Sequence, residues 1–241
     1  MNRFATMIFG KTARLKRRAK PKFAPKLLIF DFDGTIGDTF ADGLEILNLL
    51  STEFGFRPLR EEDVPRARDM RTHQLMKFLG IKTSRLAKIS ARGTIELKKR
   101  IDGVQPLEGV PAALRELHKR GHPLGIVTSN TEENVRIFLK NHDLEIFDFV
   151  RCSSKLFGKA REIRGARKRA RAKKHEVLFI GDETRDIEAC QKAGVRIAAV
   201  TWGYNSPSAL CALKPDYLLN SPGELIALLE PYLPESPPSG A

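Results

Sequence analysis

Two aspartates one residue apart, Asp31 and Asp33, follow the apolar run Leu27-Leu28-Ile29-Phe30 and precede Gly34 and Thr35. On an extended chain residues i and i+2 face the same side, so both carboxylates gather at the carboxyl end of a strand. Two negative charges in such a place repel strongly unless a cation joins them. Open α/β sheets collect their ligands at that edge. The alternative is an Asx-turn that merely leaves a buried strand.

Three further segments have residues of matching chemistry. Thr128-Ser129-Asn130 follows a second apolar run. Hydroxyls and free backbone N–H groups at a strand-to-helix junction suit an anionic oxygen, although the same residues also cap helices. Lys159, or alternatively Lys155, follows a third run and could balance a phosphate and a carboxylate. Gly181-Asp182-Glu183-Thr184-Arg185-Asp186 follows a fourth. Asp182 sits at the strand end, and Asp186 falls about one helical turn on, where it can face the same point. Hard oxygen ligands of this kind suit Mg²⁺.

In this order the four segments resemble the motifs of the haloacid dehalogenase-like superfamily of phosphatases. The resemblance runs from about Lys26 to Leu229 and looks most like the phosphoglycolate phosphatase branch. It implies that Asp31 is a nucleophile that forms an aspartyl-phosphate. Asp33 would protonate the leaving alcohol and then deprotonate the attacking water, and its backbone carbonyl would reach the metal. Thr128 would bond the transferred phosphoryl group and Lys159 would neutralise charge around it. Gly34, Thr35, Ser129 and Asn130 would complete the phosphate site. Asp31, Asp33, Asp182 and Asp186 would form the Mg²⁺ site, with Asp186 acting through water or as a positioning group. The dehalogenase branch lacks the second aspartate, so Asp33 favours phosphoryl transfer. Glu183 stands where many relatives have a small polar residue, and either joins the metal shell or caps the next helix. The implied substrate is a small phosphorylated metabolite. A phosphomutase using the same chemistry, and a non-catalytic binding protein using the basic segments described below, are the alternatives.

To bring these residues together the chain needs a parallel sheet. Strands are read at Leu27–Phe30, Leu124–Val127, Phe147–Arg151, Val177–Ile180 and Ile197–Val200, with helices at Val110–Arg120, Glu132–Lys140 and Asp186–Lys192. A last helix starts at Ser221 as N-cap, with Pro222 and Glu224 behind it. The fold class is thus α/β, a Rossmann-like parallel core, and the family likeness supplies the order 5-4-1-2-3. The interval from Ala41 to Gln105 contains no convincing strand and is too long for a simple crossover. Leu44, Leu47, Leu50 and Phe54 mark one amphipathic helix; Leu75, Met76 and Leu79 a second; Ile95 to Ile101 a third. It reads as an inserted helical cap over 41–105, between core segments 26–40 and 106–230. Arg66, Arg68, Arg71 and His73 in the cap could grip an acidic leaving group or form a solvated helix face.

The net charge of +13 over 241 residues suggests a polyanion partner, but it is localised. Residues 1–25 hold eight Lys/Arg and no acid, and residues 159–174 hold nine Lys/Arg and one acid. These stretches carry more than the whole net charge, so the remainder is slightly acidic. Nucleic acid is therefore not the expected partner, although the basic segments leave it open. The segment 1–25 reads as a disordered arm, a polyanion-binding arm or an import peptide. The proline-rich tail 231–241 reads as disordered. No apolar run is long enough to span a bilayer, so no membrane association is expected. Cys152, Cys190 and Cys211 show no metal spacing and fit a reducing, cytoplasmic setting. A monomer or homodimer is expected.

Overall fold

The computed structural model describes residues 25–153 and 158–230. The expectations for residues 1–24, for Lys155 and for the tail 231–241 lie outside them. In chain order the described elements are β1 (Leu27–Phe30), α1 (Phe40–Phe54), α2 (Val64–Arg68), α3 (Thr72–Leu79), α4 (Leu86–Lys98), α5 (Val110–Lys119), β2 (Leu124–Thr128), α6 (Glu132–Asn141), β3 (Phe149–Cys152), α7 (Lys159–Arg169), β4 (Val177–Gly181), α8 (Thr184–Ala193), β5 (Arg196–Val200), α9 (Pro207–Ala212), β6 (Tyr217–Leu219) and α10 (Pro222–Leu229).

All six strands are parallel and lie in the order β3-β2-β1-β4-β5-β6. Read from the other edge, the first five strands follow the expected 5-4-1-2-3. The sixth, Tyr217–Leu219, extends the sheet beyond β5 and was not expected, because three residues are too few to form a recognisable apolar run. β3 begins at Phe149 rather than Phe147. Asp148 just before it accepts a hydrogen bond from the Leu124 N–H (2.9 Å) and so belongs to the strand's approach.

Strand β1 is central and all four of its residues are buried, as helices on both faces require. Its even-numbered residues, Leu28 and Phe30, face one apolar layer; Leu27 and Ile29 face the other. Burying one such side chain contributes about 1.5–3 kcal/mol. The register pairs Phe30 with Ile126 on one side and with Ile180 on the other. β2 runs on from there to Thr128 and β4 to Gly181, so the carboxyl ends of the three strands lie side by side. The connections reverse direction between β1 and β4, which makes that edge the switch point where such sheets bind ligands.

After β1 the chain makes a tight turn, with the N–H groups of Ile36 and Gly37 both donating to the Phe32 carbonyl (2.9 and 3.0 Å). It then enters the helices α1 to α4. The short α2 was not anticipated: five residues carrying a proline show no apolar period. The outgoing and returning chains are tied together, Asp38 N–H to Gln105 C=O (2.8 Å) and Leu107 N–H to Ile36 C=O (2.9 Å). Leu59, Ala67 and Leu79 give the inserted helices a small core of their own. Ile46, Leu50, Ile89 and Leu97 of α1 and α4 instead continue the sheet's apolar layer. Among the described residues no helix is long and apolar enough to cross a membrane.

Candidate active site

Asp31 is the first residue beyond β1, and its N–H donates to the Ile180 carbonyl of β4 (2.8 Å), so its backbone is fixed by the sheet. The side chain is 1% exposed. Oδ1 accepts the N–H of Phe32 (2.8 Å) and Oδ2 accepts Lys159 Nζ (2.6 Å). Lys159 is the first residue of α7, and the same ammonium donates to Asp186 Oδ1 (2.6 Å). Burial works against the lysine's charge, but Asp186 and Asp31 together more than offset it, so its pKa lies above the ordinary lysine value. The ammonium thus stays protonated and joins the first and fourth motifs.

Asp182, the first residue after β4, is held at both oxygens. Thr35 Oγ1 donates to Oδ1 (2.6 Å) and the Tyr204 N–H to Oδ2 (2.7 Å). Gly34 lies against it with φ +72°, and a Cβ there would come within 2.4 Å of both Asp182 Oδ2 and the Tyr204 ring. Here glycine is required by backbone and by space. Thr35 is 1% exposed and its hydroxyl is directed to Asp182. Asp186 completes the group, and its Oδ2 accepts the Glu183 N–H (3.2 Å). Oxygens of Asp31, Asp182 and Asp186 lie within 4.8 Å of one another, all three residues buried.

This donor set fits a hard divalent cation such as Mg²⁺. Burial, then the negative charge of Glu183 and Asp31, pushes Asp182 well above the usual carboxylate range. Burial likewise raises Asp186, to about 7, against the pull of Lys159. Carboxylates crowded in this way are short of positive charge.

Asp33 is brought to the same space but is held differently. Asn130 Nδ2 donates to both its oxygens (3.1 and 3.3 Å). Asn130 is itself braced by Asn134 Nδ2 (2.9 Å), and its N–H donates to Thr128 Oγ1 (3.0 Å). Thr128 is fully buried at the end of β2. Because its oxygen accepts that bond, its own proton is left to donate. Burial and then the Asp31 charge raise the Asp33 pKa to about 7, with Thr39, Arg185 and Asn130 drawing it back. A carboxyl poised near neutrality can both give and take a proton.

Ser129 accepts a hydrogen bond from Arg185 Nη1 (3.2 Å), and Arg185 Nη2 pairs with Glu183. Glu183 does stand at the N-cap position of α8, but its carboxylate is the partner of Arg185, a role the sequence did not suggest. Three residues here went unflagged in the sequence. Arg185 was one. Tyr204 ties Asp182 to the start of α1 by donating its hydroxyl to the Thr39 carbonyl (2.8 Å). Asn205 accepts the Thr184 N–H (2.8 Å) and donates to the Arg68 and Met70 carbonyls (2.8 and 3.1 Å). Of the four cap residues singled out, Arg68 donates to the Gly203 carbonyl (2.8 Å) and Arg71 lies 4.0 Å from Glu188 of α8. Arg66 rests over the Phe78 ring within the cap.

The family model for haloacid dehalogenase-like hydrolases matches residues 28–200. The chain belongs to this family. It is 32% identical over 193 residues to a phosphoglycolate phosphatase of Synechococcus elongatus, covering 80% of this chain and 91% of that one. A pyrophosphatase PpaX of Bacillus cereus is 29% identical over 206 residues, with the same coverage. Among solved structures, a predicted phosphatase from Clostridium acetobutylicum superposes with a TM-score of 0.73 at 22% identity, covering 86% of this chain and 99% of that one. A putative phosphoglycolate phosphatase from Lactobacillus plantarum gives 0.72 at 20% identity, covering 85% and 99%. This haloacid dehalogenase-like hydrolase is a phosphatase.

Proposed function

We propose that the chain is a Mg²⁺-dependent phosphomonoester hydrolase that works through an aspartyl-phosphate on Asp31, with a small acidic phosphoester such as phosphoglycolate as substrate. The observation that carries the reading is the pairing of Asp31, bonded to Lys159, with an Asp33 raised to about 7. Bound beside Asp31, Asp182 and Asp186, with the Asp33 carbonyl, Mg²⁺ would supply positive charge against which an anionic phosphate can approach a carboxylate.

The protein's own groups do the rest. Asp31 attacks phosphorus through one oxygen, and the ester oxygen departs with the proton of Asp33. Lys159 and the Thr128 hydroxyl face the oxygens on which negative charge develops. Asp33, now ionised, takes a proton from water as it attacks the acyl phosphate, freeing Asp31 and inorganic phosphate. Covalent catalysis thus divides one difficult hydrolysis into two steps. Asn130 holds Asp33 in position throughout.

A mainly apolar cavity of about 160 Å³, walled by Phe40, Leu44, Leu47, Arg68, Glu183 and Tyr204, lies beside the site, but none of Asp31, Asp33, Thr128 or Lys159 lines it, so the substrate class rests on the relatives. The S. elongatus relative points to phosphoglycolate, and the B. cereus relative to diphosphate as the second candidate. Three free cysteines support a reducing, cytoplasmic setting. Steady-state kinetics on 2-phosphoglycolate, diphosphate and sugar phosphates test the substrate class. The expected result is a kcat/KM for 2-phosphoglycolate at least about tenfold above the others, which asks about 1.4 kcal/mol of the cap. Preference for diphosphate or for a hexose phosphate would overturn the substrate assignment.

A further inference from the structure

Arg185 has no role in the chemistry derived so far, yet it is placed where an anion would meet it. It stands in the first turn of α8, one residue before Asp186, and its side chain is 11% exposed. Nη1 donates to Ser129, the neighbour of Thr128, and Nη2 pairs with Glu183. Nε is buried and has no hydrogen-bond partner. A guanidinium carries five N–H donors in a fixed plane, and a buried donor left unpaired is unfavourable. The charge itself is secure, because a guanidinium is not deprotonated in proteins. Its partner Ser129 stands between Thr128 and Asn130, the residue that donates to Asp33.

Lys159 is already engaged by two carboxylates, so much of its charge is answered within the protein. Arg185 has one acidic partner and spare donors.

We propose that Arg185 is a second cation of the phosphoryl pocket, its free N–H groups donating to an oxygen of the bound phosphate, with Glu183 as its positioning residue. The proposal rests on the phosphatase reading of the same site. A planar fork suits the outer oxygens of a phosphoryl group, two of which it can reach at once, whereas an ammonium acts as a point charge. It also gives Glu183 a purpose: the ion pair fixes the guanidinium's plane, and Ser129 anchors its far edge.

The test is binding of inorganic phosphate, read by calorimetry in the presence of Mg²⁺, to wild type, Arg185→Gln and Arg185→Lys. Circular dichroism confirms that each is folded. Loss of a charge-assisted bond should weaken phosphate about tenfold to a hundredfold in Arg185→Gln, with only part recovered in Arg185→Lys. Turnover of p-nitrophenyl phosphate by Arg185→Ala should rise when millimolar guanidinium is added, while wild type does not respond. A strut between Ser129 and Glu183 would not give that rescue. Phosphate bound as tightly by folded Arg185→Gln as by wild type would overturn the proposal. So would a loss in Arg185→Ala that guanidinium does not relieve. Should the glutamine variant not fold, Arg185→Lys decides: charge kept and fork lost, with affinity expected to fall at least about fivefold and an unchanged affinity contradicting the role. Phosphate binding needs no turnover. Phosphate held through Arg185 by a protein that cleaves no ester would therefore sink the phosphatase reading and leave this one standing.

Discussion

Asp31 and Asp33 differ by two positions and are handled oppositely by the fold. Asp31 accepts an ammonium and a backbone N–H, while Asp33 has only neutral donors in direct contact. That division suits the proposed roles, one carboxylate for attack and one for proton transfer, and it has a consequence for stability. The Asp33 carboxyl moves from 3.8 to about 7 on folding. A raised acid pKa means the folded state binds the proton more tightly, so the group's contribution is neutral below about pH 4 and turns unfavourable as pH climbs to 7. Metal-free Asp33→Asn should then gain stability relative to wild type between pH 4 and pH 8. About 1–3 kcal/mol is expected, since each tenfold change in proton affinity is worth ~1.4 kcal/mol and this carboxylate keeps some contact with solvent. Urea unfolding at the two pH values measures it, and a constant difference would contradict the assignment. At the neighbouring position Gly34→Ala should fold poorly or lose its activity, because the new Cβ meets Asp182 and Tyr204 in a left-handed backbone. Thermal melts should drop by several degrees. The clustered carboxylates could be seen in the sequence because acids at strand ends are out of place there. Arg185 could not, because a lone arginine beside a helix start looks like any surface cation.

At the scale of elements, the site is an outcome of parallel register. The carboxyl ends of three adjacent strands lie side by side, and Asp31, Thr128 and Asp182 are carried there by them. Strands β1 to β5 and helices α5, α6, α8 and α10 were legible, because runs buried on both faces leave little ambiguity, whereas α7, α9 and β6 carry too few apolar residues to be read. The loop after β5 was not. Tyr204 and Asn205 act through backbone groups distant in sequence, and no apolar period marks such contacts. Asn205 is 7% exposed and bonds one helix start of the core and two carbonyls of the cap. Replacing it with alanine would strand the Thr184 N–H and unfasten residues 68–70. Asn205→Ala should lose about 1–3 kcal/mol in denaturant unfolding. KM should rise more than kcat falls if the cap closes over the substrate. No change in either quantity would show that the cap is fastened elsewhere.

For the whole molecule, the charge distribution separates two jobs that net charge confounds. The excess over the described residues sits on the outer side of α7 and the turn after it, where Arg161, Arg164, Lys168, Arg169, Arg171, Lys173 and Lys174 are all exposed. The helix starts in the site at Lys159 and carries these cations away from it. A small dianion close to the pocket is governed by Lys159 and Arg185, buried and little screened, rather than by that surface. Raising salt from about 50 to 500 mM should therefore lower kcat/KM for a small phosphoester by less than about threefold. Lys168→Glu combined with Lys173→Glu should change it less than about twofold. A steep loss in either case would mean that the basic face steers substrate.

The most direct measurement is phosphate release from 2-phosphoglycolate and p-nitrophenyl phosphate, with Mg²⁺ and with the metal chelated, by wild type and Asp31→Asn. Wild type should release phosphate only when Mg²⁺ is present. The variant, folded and binding phosphate, should fall by at least about a thousandfold, near 4 kcal/mol of barrier. Release that persists in Asp31→Asn, or that ignores the metal, would contradict the aspartyl-phosphate chemistry placed on this site.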